Sequence, residues 1–409
     1  MVKFRKLFTK KTLINALKSL GALRFRVSHT TLIFASLLFI ILTIAFMIRL
    51  LPMRWGTYLS EFDPYWQYRL TKHMVENGPF SWTTGWSTTN PSRDFMSWYP
   101  YGRNVARSSF PGLAFTAASS YLVLNALGLS MTLLEFVVLF PAIMGTLTCL
   151  VIFFLGKDIG GKEVGLFSAL FLALNAAYIG RTSWGFFDDE TVGIFGILLF
   201  ILFFLRSLET EKPLRNTLIY AIAAGLSLGY IFASWGASRY PLGMTVLFVF
   251  VILLMRRYSS RLLLSYSTTF GIALFIAVNI PFLGFRFLTE SSVLPVFGVF
   301  LLLCIYEAVG YIKTAKMKTV FILIFLASAI ILVLLLSWFG VIRPLEGKYA
   351  SILNPFERLA RPLVESVQEH RPAAWGSFYF DFGIGAFFVP VGVFFAVRNP
   401  TNRNVFLGI

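Results

Sequence analysis

The chain has 409 residues, of which 57% are hydrophobic and 13% charged, and its mean hydropathy is +0.74. This composition excludes an ordinary water-soluble globular protein and indicates an integral membrane protein. The formal net charge of +17 is interpreted as anchoring beside anionic lipids on the cytoplasmic side, rather than as nucleic-acid binding. The two cysteines, Cys149 and Cys304, lie in apolar runs and indicate neither a disulfide framework nor a thiolate metal site.

The chain begins with a basic segment, residues 1–30, followed by an apolar run over 32–52. This run is too long for the core of a signal peptide and lacks a small-residue cleavage site. The pattern therefore predicts a basic cytoplasmic N-terminus followed by a retained first membrane helix.

Further apolar runs predict about ten membrane-spanning helices in one transmembrane domain over residues 31–409, since about 20 apolar residues cross a bilayer. These runs lie at 111–129, 133–155, 164–180, 191–205, 217–233, 241–255, 262–283, 293–312, 319–341 and 383–397. Two segments are predicted as long external loops, namely 54–130 and the flexible loop 342–382. The predicted fold is an all-α polytopic membrane protein.

The run over 111–129 is ambiguous, because its small and polar residues also suit a helix that lies flat on the membrane or re-enters it. The positive-inside rule favours the non-spanning alternative. In that arrangement the short outside connections hold only Arg181, Arg239 and Arg286. The short inside connections then hold thirteen basic residues: Lys157, Lys162, Arg206, Lys212, Arg215, Arg256, Arg257, Arg261, Lys313, Lys316, Lys318, Arg398 and Arg403.

Three acidic segments share the outer side in this arrangement. In "FFDDET", Asp188 and Glu190 are two residues apart and are candidates to bind one divalent cation, which prefers carboxylate oxygens. In "EFDPYWQYR", Glu61 and Asp63 repeat that spacing. Helix capping is the alternative interpretation of both segments.

The third segment, "ESVQEHRPAAW", offers Glu369 beside His370 and Arg371, with a solvated loop carboxylate as the alternative interpretation. Arg181 precedes Asp188 by seven residues. It is a candidate to pair with Asp188 or Glu190, or to bind a phosphate oxygen. Acids, an arginine and aromatic residues at one membrane face together suit metal-assisted chemistry on a lipid-linked phosphate.

Four blocks resemble the catalytic subunit of oligosaccharyltransferase, the membrane enzyme of asparagine-linked glycosylation, in its archaeal and eukaryotic forms. In chain order the blocks are "EFDPYWQYR", "WYPYGR...FPGL" (98–113), "RTSWGFFDDE" and "SVQEHRPAAW". The resemblance covers essentially the whole chain. It implies a C-type glycosyltransferase-like helical bundle in a multi-pass protein of an archaeal cell membrane, or of the endoplasmic reticulum in a eukaryote, with the active site facing outside.

The resemblance also implies a reaction. An oligosaccharide would pass from a dolichyl phosphate or pyrophosphate donor to the side-chain amide of Asn in an Asn-X-Ser/Thr acceptor polypeptide, with inversion at the sugar. Asp63 and Glu369 would bind the acceptor amide, Asp63, Asp188 and Glu190 would hold Mn²⁺ or Mg²⁺, and Arg181 would hold the site together or bind the donor phosphate.

One motif of the family is absent from these residues. The Trp-Trp-Asp-Tyr-Gly sequence of a soluble C-terminal domain does not occur, so the chain is interpreted as an N-terminal membrane portion without that domain. Two alternatives remain open at this stage. They are another membrane glycosyltransferase that uses a polyprenyl-phosphate sugar, and an ion-coupled transporter, which would hold its carboxylates near the bilayer midplane.

Overall fold

A computed structural model describes residues 28–340 and 374–409, and this part of the chain is mainly helical. Its helices, in chain order, are α1 (His29–Leu50), α2 (Asp63–Asn77), α3 (Val105–Ser108), α4 (Gly112–Ala126), α5 (Leu133–Leu174), α6 (Ala176–Gly180), α7 (Glu190–Ser207), α8 (Leu214–Ser234), α9 (Arg239–Leu254), α10 (Ser260–Val278), α11 (Leu294–Tyr311), α12 (Ala315–Trp338), α13 (Trp375–Phe382), α14 (Gly385–Arg398) and α15 (Asn402–Gly408). Short 3₁₀ helices cover Leu51–Trp55, Ser81–Thr83, Gly236–Ser238 and Phe285–Thr289, and β1 (Arg93–Asp94) pairs antiparallel with β2 (Arg103–Asn104).

The predicted class, a polytopic helical membrane protein, is confirmed. Among the described residues, seven helical segments are long and apolar enough to cross a membrane, and an eighth results if the bent pair α13–α14 is counted as one span. The predicted number of about ten is therefore not confirmed. The helix that covers the ambiguous run, α4, is 15 residues long. It is shorter than the seven helical segments counted as spans and is not one of them.

The 42-residue helix α5 is a hairpin of two antiparallel arms rather than one rod. Its backbone leaves helical geometry at Gly160 and Gly161, and Gly161 has a φ of 94°, which only glycine adopts without strain. The arms touch closely, since a Cβ on Gly165 would lie 2.6 Å from the carbonyl oxygen of Phe153. The predicted run over 133–155 thus forms one arm of this hairpin, and the run over 164–180 forms the other arm as far as Leu174 and then α6.

The main core is built around α8, which packs against both α7 and α10. Glycines allow this close approach: a Cβ on Gly225 would lie 2.8 Å from the carbonyl oxygen of Thr269 in α10, and one on Gly193 would lie 2.4 Å from the ring of Trp235. Small residues at helix contacts are typical of membrane bundles. Because α7 begins at Glu190, this packing fixes the position of the second acidic segment.

The first long connection, residues 56–132, has a compact fold of its own. Helix α2 packs on α4, and the buried carboxylate of Asp94 accepts two hydrogen bonds from Arg69, at 2.6 and 2.7 Å. Ser97 Oγ and the Met96 N–H also donate to Asp94. Burial alone would raise the pKa of Asp94, but the hydrogen bonds from Arg69, Ser97 and Met96 lower it.

We expect Asp94→Asn to destabilise this connection by about 2 kcal/mol, because the amide would leave Arg69 without its charged acceptor. Resistance of residues 78–104 to proteolysis is the measurement, and Glu76→Gln, at an exposed pair with Lys72, is the control with little expected effect. Since the folded-state pKa of Asp94 is lowered, its stabilisation is present above about pH 4 and is lost as the pH falls through the folded value. Equal sensitivity of both variants would contradict this expectation.

Candidate active site

Asp63 stands at the first residue of α2 and does not cap it. The N-cap position is Phe62, and no side-chain hydrogen bond caps this helix. Pro64 follows in the first turn, where a missing N–H costs nothing. The predicted capping alternative is therefore wrong for Asp63, and its exposed carboxylate remains available at the positive end of the helix.

The segments that carry Asp63 and Asp188 cross so closely that their backbones form a hydrogen bond. Ser60 N–H donates to the carbonyl oxygen of Gly185 at 3.1 Å, and Trp184 Nε1 donates to that of Gly56 at 3.0 Å. Gly185 has a φ of 91°, and a Cβ there would lie 2.5 Å from the Tyr58 carbonyl oxygen. Segments that are far apart in sequence are thereby held together.

Gln67 joins these segments through side chains. It lies one helical turn after Asp63 on α2 and is buried. Its Nε2 donates to Asp189 Oδ1 at 2.8 Å and lies 3.5 Å from Asp188 Oδ1. Asp189 is the N-cap of α7, but no side-chain hydrogen bond caps that helix. The carboxylate of Asp189 therefore binds Gln67 rather than the start of α7.

The carboxylates repel one another electrostatically. Burial, followed by the charge of Glu190, raises the pKa of Asp188 to about 6, and Asp63 adds to the effect. Burial raises the pKa of Asp189 well above its usual range, and the charges of Asp188, Glu190 and Asp63 raise it further. Burial and mutual repulsion thus disfavour the charged forms of Asp188 and Asp189.

Arg181 is placed among these acids, as its predicted pairing requires. Its Nη1 lies 3.7 Å from Glu190 Oε1 and 3.9 Å from Glu61 Oε2, and its guanidinium lies over the Phe186 ring at 5.1 Å. The predicted ion pair with Glu190 is present. One arginine does not neutralise the neighbouring carboxylates.

The residues fit a divalent cation in donor chemistry and in charge. Glu190 Oε2 is buried and has no hydrogen-bond partner within the described part of the chain, and carboxylate oxygens are the ligands that Mn²⁺ and Mg²⁺ prefer. However, no three His, Cys, Asp or Glu side chains in residues 28–340 and 374–409 are already grouped closely enough to hold a metal ion. Glu369 lies outside the described residues, so its predicted place beside Asp63 stays a prediction.

Two residues of this region escaped the sequence analysis. Gln67 carries no charge. The sequence feature that could have pointed to it is its spacing of four residues from Asp63, which places both on one face of a helix. Arg49 is fully buried near the end of α1, where a charge inside an apolar run was the available signal. Both donate hydrogen bonds to the segment 182–189.

The helical membrane fold with acids at the start of a span defines a class, that of polytopic membrane proteins with an acidic cluster at the end of a span. The family described as "Oligosaccharyl transferase STT3, N-terminal" matches residues 29–409 of the chain. The chain therefore belongs to the STT3 family of oligosaccharyltransferases.

Relatives agree with this assignment. The chain is 33% identical over 399 residues to the dolichyl-diphosphooligosaccharide–protein glycosyltransferase subunit STT3B of Oryza sativa, covering 95% of this chain and 54% of that protein. It is 29% identical to subunit stt-3 of Caenorhabditis elegans, covering 93% of this chain and 50% of the relative. The chain thus spans about half the length of these curated relatives.

Solved structures show the same fold. The oligosaccharyltransferase AglB of Archaeoglobus fulgidus, in complex with an inhibitory peptide and a dolichol-phosphate, aligns with a TM-score of 0.66 at 20% identity, covering 92% of this chain and 46% of that one. The apo form of the Archaeoglobus enzyme aligns with a TM-score of 0.69 at 18% identity, with the same coverage. At these identities the likeness concerns the fold alone.

Proposed function

We propose that this chain forms the membrane part of an oligosaccharyltransferase, which moves an oligosaccharide from a dolichyl-linked phosphate or diphosphate to the amide nitrogen of Asn in an Asn-X-Ser/Thr sequence. The observation that carries the proposal is the crossing of the two acidic segments, which the Ser60–Gly185 and Gln67–Asp189 hydrogen bonds join. In the described part of the chain, the buried Glu190 Oε2 beside this crossing has no hydrogen-bond partner. The acids stand at the starts of α2 and α7 rather than in the middle of a span, which favours an enzyme at the membrane surface over an ion-coupled transporter.

The chemical difficulty is the acceptor nitrogen, because its lone pair is delocalised into the amide carbonyl. Asp63, exposed at the start of α2, accepts a hydrogen bond from the amide and weakens that conjugation, with Glu369 accepting from the second N–H. The nitrogen then displaces the phosphate oxygen at the anomeric carbon in one in-line step. A new C–N bond forms and the C–O bond breaks, with its electron pair leaving on the phosphate oxygen. The proton of the nitrogen passes to a carboxylate that accepts a hydrogen bond from it, and the sugar configuration inverts.

The departing phosphate needs positive charge. Asp63, Asp188 and Glu190 would hold a divalent cation, which would supply Lewis-acid stabilisation of that leaving group. Asp63 is exposed on the first turn of α2, so its side chain is free to rotate toward the other two carboxylates. An Archaeoglobus oligosaccharyltransferase was solved in complex with Zn and sulfate, which supports a metal in this family.

Arg181, which pairs with Glu61 and Glu190, binds a phosphate oxygen of the donor through its guanidinium. The Archaeoglobus enzyme has also been solved tethered to an acceptor peptide containing the NVT sequon, which supports a polypeptide acceptor. By the positive-inside argument, the acids face the outside of an archaeal cell or the lumen of the endoplasmic reticulum.

The direct test is transfer by the protein expressed from its complete gene. With dolichyl-linked oligosaccharide, Mn²⁺ and a labelled Asn-Val-Thr peptide, we expect a mobility shift of the peptide that chelation abolishes. The matched control is a Gln-Val-Thr peptide, whose side-chain amide lies one methylene farther from the backbone and should stay unmodified. Transfer that persists in Asp63→Asn would contradict the proposed role of Asp63.

A further inference from the structure

Arg49 is a fully buried cation inside the helical bundle, and its hydrogen bonds converge on the segment that carries Arg181. Its Nε donates to Thr182 Oγ1 at 2.8 Å, and its Nη1 donates to the carbonyl oxygens of Ala45 and Ala173 at 2.9 and 3.3 Å. The backbone carbonyl of Arg49 accepts the N–H of Trp184 at 2.8 Å. The contacted residues thus lie both before and after Arg181 in the chain.

The surrounding bundle is shaped to admit this side chain. A Cβ on Gly145 would lie 2.5 Å from Arg49 Nε, so glycine is needed at that position. The ring of Tyr178 lies 5.1 Å from the guanidinium. No carboxylate is among the recorded partners of Arg49 in residues 28–340 and 374–409. A buried charge without an acid is costly in a membrane protein, which indicates a use beyond packing.

The contacts suit positioning of a short turn. Helix α6 is capped by Asn175 at its start and by Arg181 at its end. Thr182, the next residue, accepts from Arg49 and donates to the Tyr178 carbonyl oxygen. Arg49 therefore donates hydrogen bonds to the chain on both sides of α6, to the Ala173 carbonyl oxygen before it and to Thr182 Oγ1 after it. A planar guanidinium reaches both points at once, whereas a lysine ammonium is a single point charge.

We propose that Arg49 is a positioning residue, which sets the place of the Arg181 guanidinium between Glu61 and Glu190. This inference rests on the proposed function, because the use of that placement is to tune the cation and phosphate site. Arg49 itself contacts neither substrate nor metal. Its influence passes through Thr182 and the turn of α6.

The test is a double-mutant cycle on Mn²⁺ affinity, measured from the electron paramagnetic resonance signal of free Mn²⁺. Arg181→Gln should tighten Mn²⁺ binding about fivefold, because it removes a positive charge beside Glu190. Arg49→Lys should tighten it by a similar factor. The double variant should bind no more tightly than Arg181→Gln alone, since Arg49 acts through that residue.

Matched variants separate positioning from general structure. Arg54→Lys, at an exposed arginine just past α1, should bind Mn²⁺ like the wild type. Thr182→Val removes the hydrogen bond from Arg49 Nε together with the bond from Thr182 to the Tyr178 carbonyl oxygen. It should tighten Mn²⁺ binding less than Arg181→Gln does, and it tests the inference if Arg49→Lys does not fold. Donor KM should rise in Arg49→Lys while acceptor KM stays unchanged.

Several outcomes overturn the inference. Effects of Arg49→Lys and Arg181→Gln that multiply would mean that Arg49 acts independently of Arg181. A Thr182→Val variant identical to the wild type would mean that these hydrogen bonds have no consequence at the site. If the wild type neither binds Mn²⁺ nor transfers a glycan, both the proposed function and this inference are wrong. Multiplicative effects in an active protein refute the inference alone.

Discussion

Asp188→Asn should lower glycan transfer by about 100-fold or more, whereas Asp189→Asn should leave it within about threefold of the wild type. The neighbouring acids differ in environment. Both carboxylates are exposed to the charges of Glu190 and Asp63, but Asp189 accepts the shorter hydrogen bond from Gln67, at 2.8 Å against 3.5 Å for Asp188. An asparagine at 189 still accepts that bond through its amide oxygen, but an asparagine at 188 loses the anionic oxygens that a cation needs.

Initial rates at saturating donor and several Mn²⁺ concentrations are the measurement for this pair. Excess Mn²⁺ should recover part of the activity of Asp188→Asn if the loss lies in cation binding. Equal losses in the two variants would contradict the assigned difference between these adjacent carboxylates.

Gln67→Leu should lower transfer by about 10-fold to 100-fold, although residue 67 takes no part in the chemistry. Leucine has a similar volume but cannot donate to Asp189, so a buried carboxylate loses its hydrogen-bond donor. The start of α7, which carries Glu190, then loses its side-chain hydrogen bond to α2. Displacement of a reactive group by about 1 Å is enough for a loss of this size.

A reversed pair tests whether the Gln67–Asp189 bond itself matters. Gln67→Glu alone would place two carboxylates together and should impair transfer. Adding Asp189→Asn restores one donor and one acceptor in the opposite sense, and we expect activity within about fivefold of the wild type. No recovery in the double variant would mean that Gln67 does not act through Asp189.

The polar contacts explain why the sequence located the acids but not their supports. Asp63, Asp188 and Glu190 are predictable because charge is conspicuous beside apolar runs, and Arg181 because basic residues are rare in the outer connections. Gln67 is uncharged, and its role depends on a crossing of two segments more than 100 residues apart. Pairings at that separation follow from packing, such as the approach of Gly185 to the Tyr58 carbonyl, which no local pattern encodes.

The fold was likewise predictable from the sequence in some parts and not in others. Hydropathy predicted the class and the positions of the two arms of α5, and Gly160–Gly161 marks their turn. The capping alternative for Asp63 could not be resolved from sequence, because a residue before proline suits both the N-cap and a first-turn position. The structure distinguishes them through Phe62, which takes the N-cap position without a side-chain bond.

The most direct test of the central idea, that acids of two separate segments hold one cation, is a titration of the purified protein with Mn²⁺. We expect one ion per chain, and affinity at least about tenfold lower in both Asp63→Asn and Glu190→Gln, because each substitution removes an anionic ligand. Wild-type affinity in Asp63→Asn, with a loss only in Glu190→Gln, would show that the first acidic segment does not share the ion and would contradict this account.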